Sequence, residues 1–96
     1  MRDANSVSTL VCLRLVYLAR LREAFDASGE TLELACGETP TVATVIAALR
    51  SRGGAWSVEL APGRAVRYAV NRRLARLDHP VADGDEVAIF PPVTGG

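Results

Sequence analysis

Lysine is absent. All eleven basic side chains of the 96-residue chain are arginines, and eleven acids balance them to a formal net charge of zero. A chain without lysine cannot accept an isopeptide bond on a side chain. Without a positive excess it also has no electrostatic case for nucleic acid or an anionic membrane. Aromatic residues are scarce, 5% against 49% hydrophobic overall, so the core must be aliphatic. The single histidine, with Cys12 and Cys36 lacking C-x-x-C spacing, argues against a metal site built from this chain alone. Both cysteines are expected to be plain buried thiols. A long hydrophobic run is missing too. The nearest, Leu10 to Ala19, is too short to span a bilayer, carries Arg14 in its middle and precedes no cleavage site, so neither signal peptide nor membrane helix is expected. The expected compartment is cytoplasmic.

What is there fits one domain with a modest core. Leu10 to Tyr17 alternates, with Val11, Leu13, Leu15 and Tyr17 on one face and Cys12, Arg14 and Val16 on the other, which predicts a strand. Leu18, Leu21, Arg22 and Phe25 then fall at helical spacing, a short helix stopped by Asp26 to Gly29. Glu30 to Cys36 alternates again and predicts a second strand, antiparallel to the first. The main helix follows, capped by Thr39 or Thr41, carrying Val42, Val45, Ile46 and Leu49 on one stripe and ending at Gly53-Gly54. Trp56 to Gly63 reads as a connector, with Trp56 packed over the helix end. Val66 to Val70 is a strand, Asn71-Arg72 a tight turn, and Leu74 to Leu77 a short return with Arg72, Arg73 and Arg76 along a basic edge. Asp78-His79-Pro80 and Asp83-Gly84-Asp85 are turns in which the aspartates bond backbone. His79 has no nucleophile placed near it by sequence and reads as a turn residue. Glu86 to Phe90 is the last strand.

That strand runs into Phe90-Pro91-Pro92-Val93-Thr94-Gly95-Gly96. Two prolines lack N–H donors and fix φ, so the chain must leave the sheet extended. Two terminal glycines present a carboxylate with no side chain beside it, on a backbone able to enter a narrow channel. Such an end suits delivery to a partner. The order of elements suggests an α+β grasp, a mixed sheet wrapped on one main helix with the first and last strands paired at its centre. On that assumption Val87 and Ile89 join Val11, Leu13 and Leu15 in the core. Ala88 and Phe90 then share the opposite face with Cys12, Val16 and Ala69, rimmed by Arg14 and Arg67. This apolar face is expected to dock a partner beside the tail. The expected divisions are a flexible extension over 1–9, the folded body over 10–90 and the tail over 91–96.

The closing Phe90 to Gly96, with Asp78-His79-Pro80 and Asp83-Gly84-Asp85-Glu86-Val87 before it, resembles the small, sulfur-carrier subunits of molybdopterin synthase. Ala19, Arg22, Glu23, Pro40-Thr41-Val42 and Val70-Asn71 fit the same pattern more weakly. The resemblance implies a ubiquitin-like β-grasp and a non-catalytic, sulfur-donating role. An adenylating enzyme would use ATP and Mg to activate Gly96 as an acyl-adenylate, and a sulfur donor protein would convert it to a thiocarboxylate. The large synthase subunit would then receive the tail and pass the sulfur to a pyranopterin precursor. Phe90, Pro91, Pro92, Val93, Thr94 and Gly95 would form the partner-binding segment, with no cofactor held by the chain itself and two small subunits on a large-subunit dimer. A carrier for thiamine thiazole or another sulfur pathway, and a ubiquitin-like protein modifier, are the alternatives that also end in Gly-Gly.

Overall fold

In the computed structural model, which describes residues 9–92, the alternating segments become strands and the 3.6-residue stripes become helices. Val93 to Gly96, most of the N-terminal extension and the side chain of Cys36 lie outside the described residues. The elements are β1 (Thr9–Tyr17), α1 (Arg20–Ala24), β2 (Gly29–Cys36), α2 (Val42–Arg50), α3 (Ala55–Glu59), β3 (Arg67–Val70), β4 (Arg73–Ala75) and β5 (Glu86–Phe90). The five strands form one mixed sheet in the order β2-β1-β5-β3-β4. β1 pairs antiparallel with β2 and parallel with β5, so the first and last strands meet at the centre as parity required.

Parity also decides the core. Val11, Leu13, Leu15 and Tyr17 of β1 and Val87 and Ile89 of β5 are all buried, on the face that α2 covers with Val42, Val45, Ile46 and Leu49. Each of the four α2 side chains contributes on the order of 1.5–3 kcal/mol by area, an upper bound before chain entropy is charged. The helix begins at Thr41, not Thr39. The Thr41 hydroxyl accepts from the Thr44 N–H at 3.4 Å and the Thr44 hydroxyl accepts from the Thr41 N–H at 3.0 Å, a reciprocal cap with Pro40 left outside. Beyond Ser51 the chain turns through Gly53 and Gly54, both at positive φ.

Two expectations need correction. The stretch after Gly54 is not a plain connector, because Ala55–Glu59 forms α3. Its Trp56 stacks on Phe25 with centroids 3.9 Å apart and lies under the Arg52 guanidinium at 4.5 Å, so aromatic packing holds a helix with no side-chain cap. Cys12, for its part, is only half-buried, because the face of β1 that carries it has no helix over it.

That second face has a continuous apolar row. The registers place Val16 beside Gly29 and Ala88, Ala88 beside Ala69, and Ala69 beside Leu74, a line across all five strands. The helices pack on the other side. Leu74 at the end of the row is 79% exposed.

Candidate functional site

The aspartate-glycine turn fixes where the tail begins. Asp83 Oδ1 accepts the Cys12 N–H at 2.7 Å, and the Gly84 N–H donates to the Cys12 carbonyl at 2.8 Å, tying the turn to β1. Gly84 sits at φ +89, a conformation that other residues adopt only with strain. Asp85 accepts the Ala82 N–H at 2.9 Å through Oδ2 and the Asn71 amide at 3.0 Å through Oδ1, while Asn71 Oδ1 accepts the Glu86 N–H at 3.0 Å. The turn therefore clamps β5 between β1 and the β3–β4 hairpin. Both aspartates are spent on these bonds, and no group of three metal-ligating side chains occurs among the described residues.

β5 thus delivers Phe90 to a defined place. It lies opposite Arg67, half-buried, on the same side of the sheet as Ala88 and outside the main core cluster. Pro91 and Pro92 follow as half-buried, non-strand residues, so the chain leaves the sheet where the prolines said it would. Beside this root lies a groove of about 680 Å³. Tyr68, Leu74, Phe90 and Pro92 line it, and Arg67 and Arg76 stand at it. The expected partner-binding residues Phe90, Pro91 and Pro92 are thereby brought together. Val93, Thr94, Gly95 and Gly96 lie outside the described residues.

Among the described residues around the root, no side chain is a poised acid or base. Burial pushes the Tyr68 hydroxyl up from its ordinary value. Desolvation, with the nearby Glu33 and Asp83 carboxylates, raises the Cys12 thiol as well, which keeps it protonated and poorly nucleophilic. His79 is exposed in its turn and its carbonyl accepts the Val42 N–H at 3.0 Å, a structural task at the start of α2.

The polar cluster that sequence reasoning missed is on the helical side. Tyr17 donates to Glu30 Oε2 at 2.6 Å, and Arg52 grips both Glu30 oxygens at 2.8 Å. Hydrogen bonding from Arg52 is the main cause holding the Glu30 carboxyl below its usual range, and burial with the Glu30 carboxylate pushes the Tyr17 hydroxyl far up. This cluster satisfies the polar end of a buried tyrosine. No spacing in the sequence announces it.

Residues 15–96 match the ThiS family. The chain belongs to that family. Among curated ThiS-like relatives, the molybdopterin synthase sulfur carrier subunit of Escherichia coli K12 is 37% identical over 84 residues, 88% of this chain and 99% of the relative. Solved structures agree. A molybdopterin converting factor subunit 1 from Pyrococcus furiosus is 28% identical, covers 86% of this chain and 99% of its own, and superposes with a TM-score of 0.72. Small archaeal modifier protein 1 of Haloferax volcanii is 27% identical, with 88% and 99% coverage and a TM-score of 0.69. The fold shared by the family member and these neighbours is the ubiquitin-like β-grasp, in its α+β form.

Proposed function

We propose that the protein is the sulfur-carrier subunit of a molybdopterin synthase, with Gly96 as the group that carries the sulfur. The observation that carries this reading is 37% identity to a molybdopterin synthase sulfur carrier subunit over 99% of that protein, within a family match that runs through Gly96. The site supports it. A stiff Phe90-Pro91-Pro92 stem leaves the central strand beside a half-covered apolar face.

A carboxylate is an anion at neutral pH and a poor electrophile, with a reference pKa of about 3.3–3.7. A partner must therefore activate Gly96 with ATP and Mg as an acyl-adenylate. A donor protein's persulfide then displaces AMP to give an acyl disulfide, and a thiol reductant cleaves its S–S bond to leave the thiocarboxylate on Gly96 and a disulfide on the donor side. The tail delivers it to the large synthase subunit, where acid-base chemistry on a pyranopterin precursor belongs to that partner. Pro91 and Pro92 shorten the freely rotating tail, and ordering each backbone residue costs roughly 1–2 kcal/mol.

The deciding experiment is intact-mass spectrometry after incubation with the adenylating enzyme, ATP and a sulfur donor. One terminal oxygen is expected to be replaced by sulfur, and no product alongside a working control carrier would overturn the reading. The likeness to a small archaeal modifier protein keeps a second reading, attachment to other proteins. Higher-mass conjugates in lysate that vanish when Gly96 is deleted would support it. Recovery of a thiazole synthase instead of a large molybdopterin synthase subunit would move the chain to the thiamine branch.

A further inference from the structure

The sheet has two free edges, and they carry opposite charge. β2 ends it on one side and β4 on the other. On β2, the Tyr17 N–H donates to the Ser28 carbonyl at 2.9 Å, so alternation turns Glu30, Leu32 and Leu34 toward β1. The N–H and C=O groups of Thr31, Glu33 and Ala35 then point outward, and all three residues are exposed, as is Glu38 just past the strand. On β4, the two-residue turn Asn71-Arg72 makes Val70 and Arg73 a hydrogen-bonded closing pair, which points the Leu74 N–H and C=O outward. Arg72, Arg73, Leu74 and Arg76 are exposed along that edge. The β2 edge is thus acidic and the β4 edge basic, in a chain of zero net charge.

Charge of one sign along an edge works against pairing with a like edge. Two β2 edges brought together would oppose carboxylates, and two β4 edges would oppose arginines. A β2 edge against a β4 edge is the pairing that this charge favours. Strand direction permits it as well. β1, β5 and β4 run one way, and β2 and β3 run the other. A second copy shifted sideways along the sheet, with its helices on the same side, therefore brings its β2 antiparallel to β4. Outward-pointing backbone must meet outward-pointing backbone, so Leu74 can stand opposite Thr31, Glu33 or Ala35. The last of these alone joins apolar to apolar and arginine to carboxylate together, because it sets Leu74 against Ala35 and Arg76, the residue after β4, against Glu33.

We propose that the chain self-associates head to tail, the β4 edge of one copy adding antiparallel to the β2 edge of the next in the Leu74–Ala35, Arg76–Glu33 register. The occupant of each edge is a second copy of this chain. The two surfaces differ, so the contact does not close after two copies and continues as an open series. β4 has three residues, which makes each contact small, below the roughly 1,200 Å² of a stable interface. The association is therefore weak, concentration-dependent and sensitive to salt. Phe90 ends β5, which has β1 and β3 as its neighbours, so neither edge contact occupies the strand from which the tail departs. The inference goes beyond the sulfur-carrier reading and does not depend on it.

The test is sedimentation velocity on the full chain alone, across a concentration series at low and at high salt. The weight-average mass should climb with concentration past that of two copies at low salt and return toward one copy at high salt. Glu33→Arg and Arg76→Glu should each weaken the association by at least about tenfold while melting like the parent, because like charges then face each other. The double variant Glu33→Arg/Arg76→Glu restores the pair with its signs exchanged and should recover self-association. Hydrogen exchange at the Leu74 and Ala35 amides should slow as concentration rises. A chain that stays monomeric at every concentration and salt overturns the proposal. So does a mass that stops at two copies, which would mean a closed dimer, and so does association that both single variants leave intact, which would mean another surface.

Discussion

Single residues decide two properties of this chain, its acid stability and the tightness of its first hairpin. Glu30 titrates below the ordinary glutamate range in the fold, chiefly because Arg52 donates to it. Its contribution is therefore complete above the unfolded value of about 4.3 and is lost as pH falls through the depressed folded value. Urea midpoints between pH 7 and about 2.5 should fall for the wild type, with a shallower acid limb for Glu30→Gln. Tyr17 acts at the other end of the scale. Its hydroxyl is held up by burial and by Glu30, so its contribution is intact below the unfolded value of about 10 and declines at higher pH. Gly29 is constrained by space, because a Cβ there would collide with the backbone carbonyl of Leu15 on β1. Gly29→Ala should cost about 1–3 kcal/mol in the same urea assay. None of this was legible in the sequence. Gly29 looked like part of a turn, and Glu30 and Arg52 meet only after α2 has crossed the sheet.

Elements were more legible, because periodicity is local and survives folding. Parity along Leu10 to Tyr17 and Glu86 to Phe90 separated core from open face without knowledge of the pairing, and Val87 and Ile89 are fully buried as that parity required. α3 was hidden for a physical reason. Its five residues have no capping side chain and no buried stripe, so what holds it is Trp56 against Phe25 and Arg52, contacts that sequence order does not display. The β3–β4 turn offers a direct test of element-level reasoning. Arg72 sits at φ +71, where a side chain costs roughly 1–2 kcal/mol and glycine almost nothing. Its carboxylate contact among the described residues is long and solvent-exposed, worth little. Arg72→Gly should therefore raise stability by about 0.5–1 kcal/mol, read as a higher denaturation midpoint with an unchanged slope. Thr41→Ala should lower it by about 1 kcal/mol, since it removes half of the reciprocal cap on α2.

At the scale of the whole molecule the sheet has two faces with different tasks, and Phe90 is the residue that can tell them apart. The helical face holds the core. The open face carries the Val16–Ala88–Ala69–Leu74 row, and Phe90 continues from it to the proline stem. If that face is for docking, Phe90 in the free protein should contribute little to stability, because it is half-buried and lies outside the core cluster. Truncation of a fully buried phenylalanine costs about 3–5 kcal/mol. Phe90→Ala should stay well under that, about 1 kcal/mol, while weakening large-subunit binding by about 2 kcal/mol or more, the size of an interface anchor. Paired measurements on one preparation, a urea melt and an equilibrium titration, separate the two terms. Equal losses would make Phe90 a core residue and leave the open face without its anchor. A stability loss alone would detach the tail root from partner recognition. A binding loss alone would mean that the chain keeps one sheet face unburied so that a partner can cover it, with Gly96 six residues beyond the anchor.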